Sequence, residues 1–522
     1  MTTILVGIIA VTTVAWFLVS WRWRPQQPRL QVPQVDVEGN KTPQRYVAET
    51  GNLIAKGYRQ ACSPFLAFDT GARFNNTVPN LSDPASPLVL LPLKYIDEVA
   101  SAPEDWLSLQ EYFSQLGLVK YTHGPPISSE VQRVVRADLK PALEPTVDVD
   151  DLIRPLEDAC KDGFGKEMPE CQEWTTVVPF NPLMRVFVRM ASLMLVGPDL
   201  RDEWADFSFE YLGAMTRATR TVRASYRPYT RWLAQYMDPD VRALIKARRK
   251  AGQILGPAHE DRLAQLEATD GDGSSRQRRL DPDRHRDALQ WFTEDYKSRG
   301  VKPTPDQIAQ NLLNLSVAST SQDGLVALWS LFDLIDHPDA LKAIRDEISR
   351  VQSRHSSWTR QALNELEIMD SFMAETIRIH SFTQTSVNRM VMRPYTFKDG
   401  FQLPVGTQLS FPTQQYSHDP DVYPDPRSFE PERYLNKRKQ PDGAKFHFAS
   451  TAESLVWGRG PHSCPGRFFV QDALKLIFVH LLTRYDFKYP EQGKTRPSPD
   501  MPNGIMSAPD VTMSVLFKER HV

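Results

Sequence analysis

The chain has 522 residues, 41% of them apolar and 24% charged, with a formal net charge of -2 and four cysteines. Four thiols over this length exclude a disulfide-stapled secreted scaffold, and balanced charge with this apolar content excludes disorder. A slightly negative chain has no electrostatic footprint for phosphate backbones, so no nucleic-acid partner is expected.

Residues Thr2 to Trp21 contain no charge and are mostly Ile, Leu, Val, Ala, Phe and Trp. An apolar run of about 20 residues, rising about 1.5 Å each, spans a hydrocarbon core of roughly 30 Å. Trp16, Trp21 and Trp23 lie toward one end, and Arg22, Arg24 and Arg29 follow, so the positive-inside bias leaves the body in the cytosol. A cleaved signal peptide is the competing reading. Against it stand an n-region without Lys or Arg, the length of the run and the missing small-x-small site. Residues 1–24 therefore read as a transmembrane signal-anchor helix. Residues 25–45, with Pro25, Pro28 and Pro33, read as a stiff linker to a single body over 46–522. In the cytosol the thiols stay reduced, and the sequons at Asn75 and Asn80 stay unmodified.

Proline is abundant at 41 and glycine sparse at 25, which favours helices joined by stiff loops. The polar stretch Asp270 to Ser275 precedes a basic cluster of Arg276, Arg278, Arg279, Arg284 and Arg286. It reads as a solvated loop, with a membrane-surface or partner contact as the alternative. Thr304-Pro305-Asp306-Gln307 has the form of a capping box. The apolar-rich pattern after it runs to about His337 and predicts one helix on the order of 45 Å long, crossing a large domain. Pro338 opens a further helix, and residues from about Thr359 to His380 form another. From Tyr395 to Gln408 short strands around Asp399-Gly400 and Pro404-Val405-Gly406 read as a hairpin. A proline-dense irregular stretch follows, then a long apolar helix after Cys464. The expected fold class is mainly α with a small β region.

The segment Trp457-Gly458-Arg459-Gly460-Pro461-His462-Ser463-Cys464-Pro465-Gly466 is a glycine-rich loop that presents one cysteine at the start of a helix. A thiolate there gains from the helix dipole and from loop N–H groups. With no second Cys or His at ligand spacing it cannot hold zinc, but it can be the fifth ligand of a haem iron. A small buried hydrophobe is the plain alternative for such a cysteine. A phosphate loop is disfavoured, since Gly458-x-Gly460 lacks a third glycine and a preceding strand.

This segment resembles the haem-binding loop of the cytochrome P450 superfamily, Phe-x-x-Gly-x-Arg-x-Cys-x-Gly. Glu375-Thr376-Ile377-Arg378 matches that family's Glu-x-x-Arg, and Phe429-Glu430-Pro431-Glu432-Arg433-Tyr434 is similar to its Pro-Glu-Arg-Phe element. The resemblance covers about Tyr46 to Phe517. Runs such as Asp287 to Phe292 and Thr483 to Phe487 resemble fungal members of secondary metabolism that oxidise terpenoid or polyketide scaffolds.

The resemblance implies a triangular helical prism with a long central I helix and a b-type haem whose axial ligand is the Cys464 thiolate. Trp457, Gly458 and Gly466 belong to the haem loop. Glu375, Arg378 and Arg433 form a structural ion network. It implies a membrane-anchored monooxygenase acting on a hydrophobic natural-product intermediate, facing the cytosol from a single-pass anchor in the endoplasmic reticulum. Electrons would come from NADPH through a separate cytochrome P450 reductase, and cytochrome b5 is a further partner. Arg459, Arg467 and Lys475 are candidate docking charges or ordinary solvated ones.

Two departures stand out. Where the family has a propionate-binding arginine two residues before the cysteine, this chain has His462, and Arg389 resembles the family's other propionate arginine. In the central helix the acid and threonine that relay protons are replaced by Ser321 and Gln322, with Gln322 expected over the iron on the face of Ala318. Glutamine can orient water but is a poor general acid. Asp323 reads either as a helix residue turned to a polar neighbour or as a displaced relay acid. These departures leave a haem-thiolate isomerase, desaturase or ring-forming oxidase as an alternative, and a non-catalytic haem protein as a remote one.

Overall fold

A computed structural model describes residues 34–35, 43–62, 72–74, 88–143, 150–268, 285–320, 322–443, 446–490, 501–503 and 506–520. The expected anchor over 1–24, most of the linker, both sequons, the polar loop at 270–275 and its basic cluster up to Arg284, and Ser321 lie outside these residues. Among the described residues no helix is long and apolar enough to cross a membrane.

Helices form the body. They include α1 (Ser129–Val134), α2 (Phe180–Val196), α3 (Arg201–Ser225), α4 (Pro239–Ala268), α5 (Pro305–Thr320), α6 (Asp323–Asp336), α7 (Pro338–Gln352), α8 (Arg360–Asn364), α9 (Glu367–Ile379) and α10 (Arg467–Arg484). The helices α2, α6 and α10 are buried on nearly every face, which is why their sequences are apolar around the whole circumference. One continuous apolar core joins them, with Trp204, Trp329, Phe187 and Phe292 fully enclosed. Burying an aromatic side chain of this size contributes about 2–3 kcal/mol.

The start of α5 is the predicted capping box. The Gln307 N–H donates to Thr304 Oγ1 at 3.2 Å, and the Thr304 N–H donates to Gln307 Oε1 at 2.8 Å. The single long helix expected after it is not formed. The chain breaks between Thr320 and Asp323, where Gln322 has φ -126° and ψ -34°. The Thr320 hydroxyl donates to the Ser316 carbonyl at 2.7 Å, and the Ser319 hydroxyl reaches the same oxygen at 3.2 Å. These hydroxyls compete with backbone N–H groups and loosen the last turn of α5. Asp323 then opens a new helix, as an acid at a helix N-terminus does well. The helix expected over Thr359 to His380 is likewise two, α8 and α9. Thr359 caps α8, accepting from the Ala362 N–H at 3.1 Å.

Strands make a side region. They are β1 (Gln34–Val35), β2 (Ala72–Phe74), β3 (Leu88–Leu90), β4 (Leu107–Ser108), β5 (Thr175–Val177), β6 (Ser386–Val391), β7 (Tyr395–Thr396), β8 (Gln402–Leu403), β9 (Gln408–Phe411), β10 (Tyr485–Lys488), β11 (Met501–Asn503), β12 (Met506–Ala508) and β13 (Val515–Glu519). The largest sheet has the order β1-β2-β3-β9-β6-β4 and covers a second apolar cluster around Val89, Leu107, Leu409 and Phe411. The predicted hairpin is present as β7 and β8, with Tyr395 opposite Leu403. A third grouping places β13 between β10 and β5. In β6 the register against β9 slips between Ser386 and Arg389, and Val387 there has φ +52°. A β-branched residue with positive φ is strained, and a bulge of this kind re-aims the side chains beside it.

Candidate active site

The loop from Trp457 to Gly466 folds so that its cysteine faces inward. Gly458 at φ +74° and Gly460 at φ +66° make turns that L side chains resist. The Cys464 N–H donates to the Trp457 carbonyl at 2.7 Å, which closes the loop. The half-buried cysteine's sulfur receives the backbone N–H groups of Gly466 and Arg467 at the entry to α10. A Cβ on Gly466 would sit 4.0 Å from that sulfur. Burial pushes the thiol up to about 11, Asp323 adds to the rise, and the two N–H groups oppose it. A thiol held so high loses its proton when a metal cation binds it.

Arg389, aimed inward by the bulge in β6, is 1% exposed. Its Nη1 donates to the Asn388 carbonyl at 2.8 Å, while Nε and Nη2 are buried with no hydrogen-bond acceptor among the described residues. Burial pushes its pKa down to about 10, with Glu104 opposing. Beside it His462 is half-buried, its pKa lowered by burial and by Arg389 and Arg136, with Glu104 acting the other way. His462 Nε2 is 3.9 Å from Glu104 Oε2, an oxygen that is itself buried without a donor. Arg136 stands on the π-helical turn Val135–Leu139 that continues α1. Sequence reasoning missed Arg136 and Glu104. Neither sits in a motif, and only folding brings them to the His462 edge.

Across the broken helix, Asp323 is 7% exposed and lies within electrostatic reach of Cys464. Burial alone pushes its pKa up to about 8. Gln322 does not share a helical face with Ala318. It is exposed, outside the helices, and its side chain caps nothing. The break rotates the register by which it was placed over the iron.

Glu375, Arg378 and Arg433 meet in the interior. Arg378 makes a two-point pair with Glu375, at 2.8 Å and 2.7 Å, and Arg433 Nε approaches both carboxylate oxygens at 3.1 and 3.2 Å. The remaining guanidinium protons reach carbonyls of Ser417, Pro424, Pro426 and Ser428, so the network ties α9 to the proline-dense stretch. Of the three proposed docking charges, Lys475 is corrected. It is 1% exposed, and its ammonium bonds Asp370 Oδ1 at 3.1 Å and the Leu363 carbonyl at 3.0 Å. On an apolar helix such as α10 a lysine stays charged inside only with such partners. Arg459 reaches Asp97 at 3.2 Å, and Arg467 reaches the Cys464 carbonyl at 2.9 Å.

The residues present fit a haem. Among the described residues no group of three or more His, Cys, Asp or Glu can hold a metal, so this loop offers an iron one ligand, the number a porphyrin needs from a protein. The unpartnered guanidinium nitrogens of Arg389 match a buried propionate. A lone cysteine at a helix entry, a buried arginine beside His462 with two nitrogens lacking an acceptor among the described residues, and a carboxyl within electrostatic reach of the sulfur suit a haem-thiolate protein.

Comparison gives the family. The Cytochrome P450 family model matches residues 173–515, more than half the chain. Cytochrome P450 monooxygenase cheE of Chaetomium globosum is 32% identical over 98% of this chain and 96% of its own. Cytochrome P450 monooxygenase ccsG of Aspergillus clavatus is 30% identical over 98% of each. Pyrichalasin C-7 hydroxylase of Pyricularia grisea is 30% identical over 88% of this chain and 87% of its own. A retinoic acid bound cyanobacterial CYP120A1 shares the fold, with a TM-score of 0.64 at 16% identity over 94% of this chain and 100% of that one. The chain belongs to the cytochrome P450 family and is a monooxygenase of the fungal secondary-metabolism type. That family carries a haem with a cysteine thiolate ligand.

Proposed function

We propose that this P450 hydroxylates or otherwise oxidises a hydrophobic natural-product intermediate of the terpenoid or polyketide kind. The carrying observation is the inward-facing Cys464 sulfur in a fold whose buried Arg389 keeps two guanidinium nitrogens without an acceptor among the described residues. Cys464 is the axial ligand, with Trp457, Gly458 and Gly466 shaping its loop. Arg389, His462 and Arg136 hold the propionates. A bound haem supplies oxygen activation and the oxidation of an unactivated C–H bond. The chain's own residues bind the substrate, exclude water and move protons. Asp323 carries its proton at neutral pH and is the group placed to give it up inside the pocket. The name of the pyrichalasin hydroxylase supports an oxygen-inserting reaction on a fungal scaffold.

The apolar run over residues 1–24 supports a single-pass anchor in the endoplasmic reticulum, with the linker at 25–45 and a cytosolic catalytic domain over 46–522. NADPH electrons then arrive through a separate reductase, with cytochrome b5 as a second donor. Arg459 and Arg467, beside the cysteine loop, supply the docking charge.

The test is a reduced carbon monoxide difference spectrum of the full chain expressed with a reductase. The wild type gives the red-shifted band of a thiolate-ligated haem and Cys464→Ala loses it; an identical band in the variant sinks the assignment. Isotope-labelled dioxygen supplied with candidate scaffolds to the same preparation decides the reaction type. The displaced Gln322 favours a second reading, an isomerase, desaturase or ring-forming oxidase, and product free of label supports that one.

A further inference from the structure

Beside the cysteine loop a cleft of about 250 Å³ opens between α8, α9 and α10, lined by Arg360, Asp370, Arg438, Gln471, Asp472 and Lys475 among others. Two of its carboxylates are buried, and their connections differ. Asp472 pairs with Arg360 at 3.1 Å. Asp370, 3% exposed, pairs with Lys475 at 3.1 Å and with Arg438, and its Oδ2 also accepts the Phe448 N–H at 3.1 Å.

Phe448 leads on to the metal ligand. Its carbonyl accepts the Trp457 indole N–H at 2.7 Å, and the two rings meet edge to face at 5.3 Å. The Trp457 carbonyl in turn accepts the Cys464 N–H at 2.7 Å. The next amide is held as well, with the Ala449 N–H donating to Gln471 Oε1 at 3.3 Å. The bonds through Phe448 are buried, where a hydrogen bond is stiff and its loss leaves a donor or acceptor stranded. Burial opposes ionisation of Asp370, but Lys475, Arg438 and the Phe448 N–H outweigh it and hold the carboxyl below its usual range.

We propose that Asp370 is a positioning residue for the thiolate, fixing Cys464 through Phe448 and Trp457 so that the sulfur stays ligated and anionic. The proposal rests on Cys464 being the haem ligand. It assigns a second task to a charge cluster that otherwise only ties α9 to α10.

The experiment compares the full-length holoenzyme with Asp370→Asn, Trp457→Phe and Asp472→Asn. Trp457→Phe keeps the aromatic packing and every ion pair but deletes one bond of the chain. Asp472→Asn removes a buried charge from the same cleft without touching it. Two readouts are the ratio of thiolate-ligated to thiol-ligated carbon monoxide complex and the haem midpoint potential. Asp370→Asn and Trp457→Phe each lower that ratio about threefold or more, on the scale of one buried hydrogen bond. Asp370→Asn also moves the potential upward, since the carboxylate linked through Phe448 and Trp457 to the ligand loop loses its negative charge. Asp472→Asn changes the ratio little. In the double variant of Asp370 and Trp457 the effects fall short of their sum, because both cut one chain. If Asp370→Asn does not fold, Trp457→Phe alone decides. An unchanged ratio in Trp457→Phe, an Asp370→Asn spectrum matching that of Asp472→Asn, or full additivity overturns the proposal. A wild type without the thiolate band overturns the haem-thiolate reading itself, a result distinct from these.

Discussion

Asp323 shows how a single residue trades stability for function. Its carboxyl titrates near 3.8 in the unfolded chain and is pushed up to about 8 by burial in the folded one. Between those values the folded state binds the extra proton, so stability falls as pH rises and the loss is complete once pH passes the folded value. Asp323→Asn removes that burden. The expected result is a thermal midpoint a few degrees higher than wild type at pH 8.5, a much smaller gain at pH 5, and impaired turnover at both. Equal gains at the two pH values would show that the carboxyl is not buried as described. Arg389 illustrates the limit of reading a residue from its motif. Its position beyond the Glu-x-x-Arg was legible, but its inward aim comes from a strained bulge at Val387 that no residue type announces.

The central helix is the element where sequence and structure part. Its capped start at Thr304 and its end near His337 were legible from capping chemistry and apolar spacing. The break was not, because apolar residues flank the polar run Ser319 to Asp323 on both sides. A run of hydroxyls followed by Asp323-Gly324 was the available signal, a loosened C-terminus next to a good N-terminus. Gly324 fixes where the second half sits. A Cβ there would lie 2.7 Å from Met184 Cε and 3.0 Å from Met184 Cβ, so α6 and α2 approach at this point with no room to spare. Gly324→Ala gains helix propensity of about 1 kcal/mol but overpacks by about 1–3 kcal/mol. A net loss of about 1 kcal/mol is expected in chemical denaturation, recovered in part by Met184→Ala on the same background. Were Gly324→Ala more stable than wild type, the close approach would be wrong.

At the scale of the whole molecule the ion network around Glu375 is a buried cross-link between α9 and the proline-dense stretch. Its members were legible as motifs because each residue type does one job: a carboxylate flanked by two forked cations that also cap carbonyls. Arg433→Ala strands those acceptors and leaves a buried charge short of a partner, so a cost of about 3 kcal/mol is expected in the denaturation midpoint, with early haem loss. A midpoint within about 0.5 kcal/mol of wild type would reduce the network to a surface-like ion pair. What no motif revealed is the long-range pairing that finishes the fold. Strand β13 lies between β10 and β5, matching Phe517 to Thr175 and to Phe487. During synthesis, then, β5 leaves the ribosome hundreds of residues before its partner exists. Until Val515–Glu519 emerges, two strand edges wait unpaired and invite chaperones or self-association. The pairing that secures β5 is therefore completed late in translation, by the short strand Val515–Glu519.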